Sequence, residues 1–378
     1  IRPISYGMKD QELLYRLALT LLPGIGNVGA NKLLRAAGNA TVLFEHSNEL
    51  EDIVPDVSPK LKDVCDCPDT LRLCEAELNF AEKNRIACLT DANEAFPSRL
   101  RECDDAPIVL FYRGSADLNK QHIVSMVGTR NATDYGKELC LKFVTELHEL
   151  MPDILIVSGL AYGIDIHSHR AALQNGFDTV GVLAHGLDRI YPAVHRRTAV
   201  EMVSHGGLLT EFMSGTNPDR QNFVKRNRIV AGMSDATIVV ESAAKGGSLI
   251  TADIAESYQR DCFAFPGRIT DPASEGCNAL IRANRAALLQ NAEEFVQAMG
   301  WDKKKTAPRN VQRQLFPELS EEEQIIVSLL QKQPDGLQIN TLVVESNIPV
   351  NRMSGILFEL EMKGIIRMAA GGVYRLLG

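Results

Sequence analysis

Between about residues 105 and 300 the chain alternates short unbroken apolar runs with amphipathic stretches of helical period, and few folds accept that alternation. The apolar runs are His122–Val127, Ile154–Val157, Thr179–Leu183, Gly207–Leu209, Ala236–Val240 and Cys262–Phe265. Between them lie Tyr135–Leu150, Ile166–Asn175, Val194–Ser204, Asn222–Met233 and Leu249–Gln259, each patterned as a helix. Strands that are apolar on both faces need cover on both faces, so they belong in a mostly parallel sheet sandwiched by helices. The fold class expected is therefore α/β, a doubly wound sheet with right-handed crossovers.

The flanks read differently. Residues 8–90 show helical spacing without strand alternation, as in Gln11–Leu22, Val28–Ala37 and Leu71–Lys83. Residues 301–319 contain Asp302-Lys-Lys-Lys-Thr-Ala-Pro308 and carry no apolar period, which predicts a solvated linker. Residues 320–378 read as three helices and two strands about a Gly-rich turn, the shape of a winged helix. A length of 378 residues fits this division into a helical domain, a sheet domain at 105–300 and a C-terminal domain.

Composition narrows the function. The chain is 45% apolar and 23% charged, ordinary for a globular protein, and no window approaches a membrane span. Ile1 to Gly7 shows no secretory pattern, so a cytoplasmic protein is expected. Eight thinly spread cysteines argue for a reducing compartment and against a disulfide scaffold. Cys65, Cys67, Cys74 and Cys88 offer one C-x-C rather than paired hooks, so small buried residues are expected there, not zinc. The net charge of −8 argues against a protein that coats nucleic acid, while leaving room for a local basic groove.

Ligands of open α/β sheets sit beyond the carboxyl ends of the strands. The turns expected there are rich in small residues: Gly128-Thr129-Arg130, Ser158-Gly159-Leu-Ala-Tyr-Gly163, His185-Gly186-Leu-Asp188 and Lys245-Gly246-Gly247-Ser248. Open amides at helix starts favour phosphate, although tight strand–helix packing needs glycine too. Neither G-x-G-x-x-G nor a Walker loop is present, so no nucleotide cofactor is expected. The segment Asn217–Val230 holds Arg220, Lys225, Arg226 and Arg228 against one acid, Asp219, with Phe223 and Asn227 among them. Cations along a backbone with an aromatic base platform describe a single-stranded nucleic-acid site. Arg226 and Arg228 lie two apart on a helix and diverge, which predicts that one meets DNA and the other braces a turn.

Together, Gly128-Thr-Arg, Ser158-Gly-Leu-Ala-x-Gly-Ile-Asp165-x-x-x-His169, Gly186-Leu-Asp-x-x-Tyr191-Pro192, Phe223-x-x-Arg226-Asn227-Arg228-Ile, Lys245-x-Gly247-Ser248-x-x-Thr251-Ala and Phe265-Pro-Gly closely resemble the DNA-processing protein A (DprA, or Smf) family. The resemblance implies an extended Rossmann fold that forms a homodimer, binds single-stranded DNA, loads the RecA recombinase and catalyses no reaction. It assigns phosphate contacts to Arg130 and Arg220, where relatives often have Lys, and base stacking to Phe223. Amides or hydroxyls would come from Ser158, Gly159, Gly247 and Ser248, with Lys245 and Thr251 as supports. Gly128, Thr129, Arg226, Asn227 and Arg228 complete the implied DNA-binding set.

Other readings compete. His167 and His169 beside Asp165 suggest a metal site, but residues two apart on a helix diverge, so a helix cap with a packed His is expected. Gly-Gly-Ser turns also occur in nucleotide glycosidases similar to the cytokinin-activating phosphoribohydrolases, whose turn places a Glu where Asp253 and its neighbours do not. Leu22-Pro-Gly24-Ile-Gly26 resembles a helix-hairpin-helix, with Lys32 near it, and is either an auxiliary DNA contact or a structural element. From Ser320 onward five basic residues face seven acidic ones, which favours protein contact over duplex DNA.

Overall fold

The computed structural model describes residues 8–22, 24–46, 67–301, 319–333, 336–369 and 373–376. The chain falls into two compact units, with the boundary between Trp301 and Asp302. The expected linker at 301–319 lies, but for its two ends, outside the described residues.

The first unit begins with α1 (Met8–Leu19), α2 (Asn27–Ala37), α3 (Ala40–Glu45) and α4 (Pro68–Lys83). Strands β1 (Ala87–Leu89) and β2 (Leu110–Gly114) follow, with the single turn α5 (Ser98–Arg101) between them. Then come β3 (Ile123–Val127), α6 (Asp134–Leu150), β4 (Leu155–Ser158), α7 (Ile164–Gln174) and β5 (Asp178–Val182). After these lie α8 (Arg196–Ser204), β6 (Gly206–Thr210), α9 (Arg220–Gly232), β7 (Ala236–Val239) and α10 (Gly247–Ser257). The unit closes with β8 (Asp261–Ala264), α11 (Glu275–Arg282), β9 (Ala287–Leu288) and α12 (Ala292–Ala298).

The nine strands form one sheet in the order β1, β2, β6, β5, β4, β3, β7, β8, β9. Every pairing from β6 to β9 is parallel, whereas β1 and β2 join antiparallel at one edge. The doubly wound, mostly parallel sheet is thus as expected. The period-2 alternation of side chains explains the unbroken apolar runs: Ile123, Val127, Leu155 and Val157 face one core with α9 and α11. Val124, Met126, Ile154 and Ile156 face the other with α6 and α12. The chain winds from β3 out to β6, then returns to place β7 on the other side of β3. The carboxyl ends of β3 and β7 therefore open on a topological switch point, where such sheets bind ligands.

The helical block at 8–90, expected as a domain of its own, shows no break in packing at 90–105. Leu14, Leu17, Leu33, Leu43 and Phe44 share one apolar cluster with Ile108, Val109 and Phe111 of the β2 region. Phe111 reaches that cluster while its neighbours Leu110 and Tyr112 face the sheet core, so β2 ties the two together.

The second unit holds α13 (Glu321–Gln331), β10 (Leu337–Gln338), α14 (Ile339–Ser346), α15 (Val350–Met362), β11 (Ile366–Ala369) and β12 (Val373–Leu376). Its three strands are antiparallel, with β12 central, and this is a winged-helix arrangement. Ser320 and Glu323 form a capping box at the start of α13. Ile326, Leu330, Leu342, Met353, Leu357 and Leu360 make a core of its own.

Candidate nucleic-acid interface

A cavity of about 560 Å³ opens at the switch point, and four of the five segments singled out in the sequence meet there. Leu187 and Asp188 of the His185–Asp188 turn line a different depression. Gly128, Thr129 and Arg130 come from the turn after β3, Gly159 from the turn after β4 and Asp165 from the first turn of α7. Lys245 to Ser248 lead into α10, while Arg220, Phe223, Arg226 and Asn227 come from α9. The start of α9 is fixed by Asp219, whose carboxylate accepts from the Asn222 amide at 2.8 Å. Spacings of three and four then bring 220, 223, 226 and 227 to one side, while Lys225 and Arg228 line a second cavity.

Arg130 is exposed and lies over the ring of Phe223, its Cζ 4.6 Å from the centroid. Phe223 is half-buried, with Arg226 5.9 Å from its centroid and the Tyr191 ring centred 6.1 Å away. Arg220, also exposed, stands in the first turn of α9. Two exposed guanidiniums and an aromatic thus share one wall.

Arg226 and Arg228 are not free to meet DNA, and here the structure corrects the sequence expectation. Arg226 is buried and donates to the Gly159 and Val182 carbonyls, tying α9 to the ends of β4 and β5. Burial pushes the Asp165 carboxyl up from its ordinary range while the neighbouring Arg226 guanidinium pulls it back. Arg228 is buried too, pairs with Glu211 and donates to the Asp105 carbonyl at 2.6 Å. Both brace the scaffold, where only one had been expected to.

The small residues also divide. The Ser158 hydroxyl donates to the Met126 carbonyl at 2.6 Å, and Ser248 to Ser242 at 2.9 Å, so neither hydroxyl is available as expected. The Thr129 amide is taken by the Glu241 carbonyl at 2.8 Å, and Thr251 is buried. Gly128 is a packing glycine, because a Cβ there would lie 2.4 Å from Ile164. At Gly159 a Cβ would strike the Arg226 guanidinium. Gly247 alone of these faces open space, at the first position of a helix with no side-chain cap and no acid in its first turn. That end offers amides and a positive dipole to an anion. Lys245 is exposed on the same rim, and Asn227 is half-buried.

His169 is a packed histidine. Its Nδ1 lies 2.7 Å from the Thr179 hydroxyl, and burial pushes its pKa down to about 3, so the ring is neutral. Among the described residues no His, Cys, Asp or Glu cluster has the makings of a metal site. Cys74, Cys140 and Cys277 are buried, and burial pushes each thiol up to about 12. Gly24, Gly26 and Lys32 are exposed, but the hairpin glycines line the second cavity, not the one holding Arg130.

In the winged helix, the cation of α15 and the one that caps its end are both already paired. Arg352 pairs with Glu322 at 3.0 Å and Lys363 with Glu323 at 2.6 Å. The same helix exposes Phe358 and Met362. Phosphate contacts dominate DNA affinity, so a fragment from Leu319 onward is expected to leave duplex DNA unretarded in gel shifts at physiological salt. A retarded band would refute this reading of α15.

Fold and site together define a doubly wound sheet protein with a basic, aromatic-backed groove at its switch point. Residues 87–300 match the family model described as DNA recombination-mediator protein A, and residues 312–372 match the DprA winged helix domain. The chain belongs to this DNA processing protein A family. It is 33% identical over 313 residues to Protein Smf of Escherichia coli, with 80% of each chain covered. It is 40% identical over 190 residues to the DNA processing protein DprA of Streptococcus pneumoniae, covering 50% of this chain and 66% of that one. The crystal structure of the pneumococcal protein superposes with a TM-score of 0.55 over 72% of this chain and 98% of that one, at 33% identity. DNA processing protein A of Helicobacter pylori, whose structure addresses its single-stranded DNA binding mode, gives 0.52 at 29% identity, over 58% of this chain and 97% of that one. The chain spans from about half to two thirds of the length of the first curated relatives it matches.

Proposed function

We propose that the switch-point cavity binds single-stranded DNA with little sequence preference, and that the chain is a non-catalytic recombination mediator. In this reading Arg130 and Arg220 meet phosphates, the open end of α10 at Gly247 takes another, and a base stacks against the Arg130–Phe223 pair. The observation that carries it is that pair: an exposed guanidinium 4.6 Å from an aromatic centroid, at the mouth of a cavity. Such a site attracts a backbone and a π-face while reading no base edge. The binding mode described for the H. pylori relative supports the same ligand class. The family description, a DNA recombination mediator, supports a role in recombination. The wider role in this proposal is a cytoplasmic homodimer that shelters the unpaired strand and delivers it to a RecA-type recombinase, in transformation or repair.

A salt-dependent titration with oligo-dT beside the equivalent duplex tests the reading. The single strand should bind more tightly, and Arg130→Ala or Arg220→Ala should each flatten the salt dependence on it by about 0.7 of a unit of slope. Wild-type titrations from both variants would refute the placement.

A further inference from the structure

Tyr191, on the turn after β5, is 45% exposed, and its ring stands 6.1 Å from that of Phe223 at an angle of 52°. Its chain neighbours Ile190 and Arg189 line a separate depression of about 510 Å³, which also takes in Arg113 of β2 and Arg196 of α8. The floor is aliphatic, with Val200 and Leu208 among its residues. Arg113 and Arg196 are exposed and form no ion pair among the described residues. The lining holds one acid, Asp188, and Arg189 already pairs with it at 3.0 Å. Two unspent guanidiniums therefore face this depression, and nothing in the cavity at the switch point uses them.

We propose that this depression is a second phosphate-binding site, which takes the next nucleotides of the same single strand with Tyr191 as the stacking step between the two. The inference rests on the single-strand reading above and extends its footprint. Continuity is what favours DNA. Bases follow one another at about 3.4 Å along a duplex strand, so a strand stretched to less than twice that rise lays neighbouring bases on rings 6.1 Å apart. The two exposed positive charges then neutralise the phosphates beyond, a contact that reads charge and not fork geometry. An acidic amphipathic peptide would also suit an aliphatic floor under arginines, and the test separates the two.

The experiment uses the full chain with oligo-dT of about six and about 20 nucleotides, lengths within and beyond the span of one compact site. Wild-type protein should bind the long strand more tightly. The Arg113→Ser/Arg196→Ser double variant should bind the short strand as wild type does and the long strand about tenfold more weakly. Its salt slope on the long strand should fall by about 1.4, at about 0.7 per phosphate released. Tyr191→Ala should weaken the long strand selectively, and Arg113→Lys/Arg196→Lys should restore it. Wild-type behaviour of the double variant on both lengths, as a peptide groove would give, overturns the proposal. So does equal weakening on both lengths, or failure of the lysine pair to restore binding. Wild-type protein that binds neither length would refute the single-strand reading itself, a distinct result.

Discussion

Arg226→Ala should lower the stability of the sheet unit by about 3–5 kcal/mol, the cost typical of removing one partner from a buried charged network. The side chain is 3% exposed and joins the Gly159 and Val182 carbonyls, residues from the ends of two different strands. Its loss strands both carbonyls and removes the stronger of the two guanidinium charges that act on the buried Asp165 carboxyl. The sign of the Asp165 shift supports this, since burial raises that carboxyl and Arg226 is the largest of the groups that oppose it, ahead of two hydrogen bonds and Arg130. Denaturant unfolding followed by circular dichroism measures the loss. A variant as stable as wild type that no longer binds oligo-dT would show instead that Arg226 is a DNA contact.

Phe223→Ala should leave the fold almost untouched while weakening oligo-dT binding by about 1–3 kcal/mol per stacked base. The ring is half-buried at a cavity mouth and belongs to none of the apolar clusters, so its truncation opens no interior void. The Arg130 guanidinium over the ring gives the effect a second route. Without the aromatic, Arg130 loses the face that orients it, an interaction of about 0.5–2 kcal/mol. Trp at 223 should retain binding and Leu should not. Lower thermal stability with unchanged affinity would reassign Phe223 to the core.

Much of this was legible in the residues. Six unbroken apolar runs became the parallel strands β3 to β8, because strands covered on both faces have no polar side to interrupt them. β1 and β9 are three and two residues long, below what any period reveals, and the antiparallel edge at β2 shows only in the pairing. The charge of Asn217–Val230 marked the site, and helical phase correctly separated Arg226 from Arg228. Phase does not say what waits on each side, though. The partners of Arg226 lie 67 and 44 residues away, and those of Arg228 lie 123 and 17 away. The serines fail for a similar reason: the Ser158 hydroxyl finds the adjacent strand, and the Ser248 hydroxyl the turn that leads into its own helix, before either finds a ligand. Tyr191 was legible as a motif residue, but its nearness to Phe223 was not.

Helix α9 turns Arg220, Phe223 and Arg226 toward one cavity and Arg228 toward another. Of these only Arg220 and Phe223 reach solvent, while Arg226 and Arg228 are held as buried anchors. On the single-strand proposal, a wall riveted in this way holds its shape before any polynucleotide arrives, so little ordering entropy would be lost on capture. The speed of capture is then set by encounter: association should be fast, should slow as ionic strength rises, and should show no lag from loop closure.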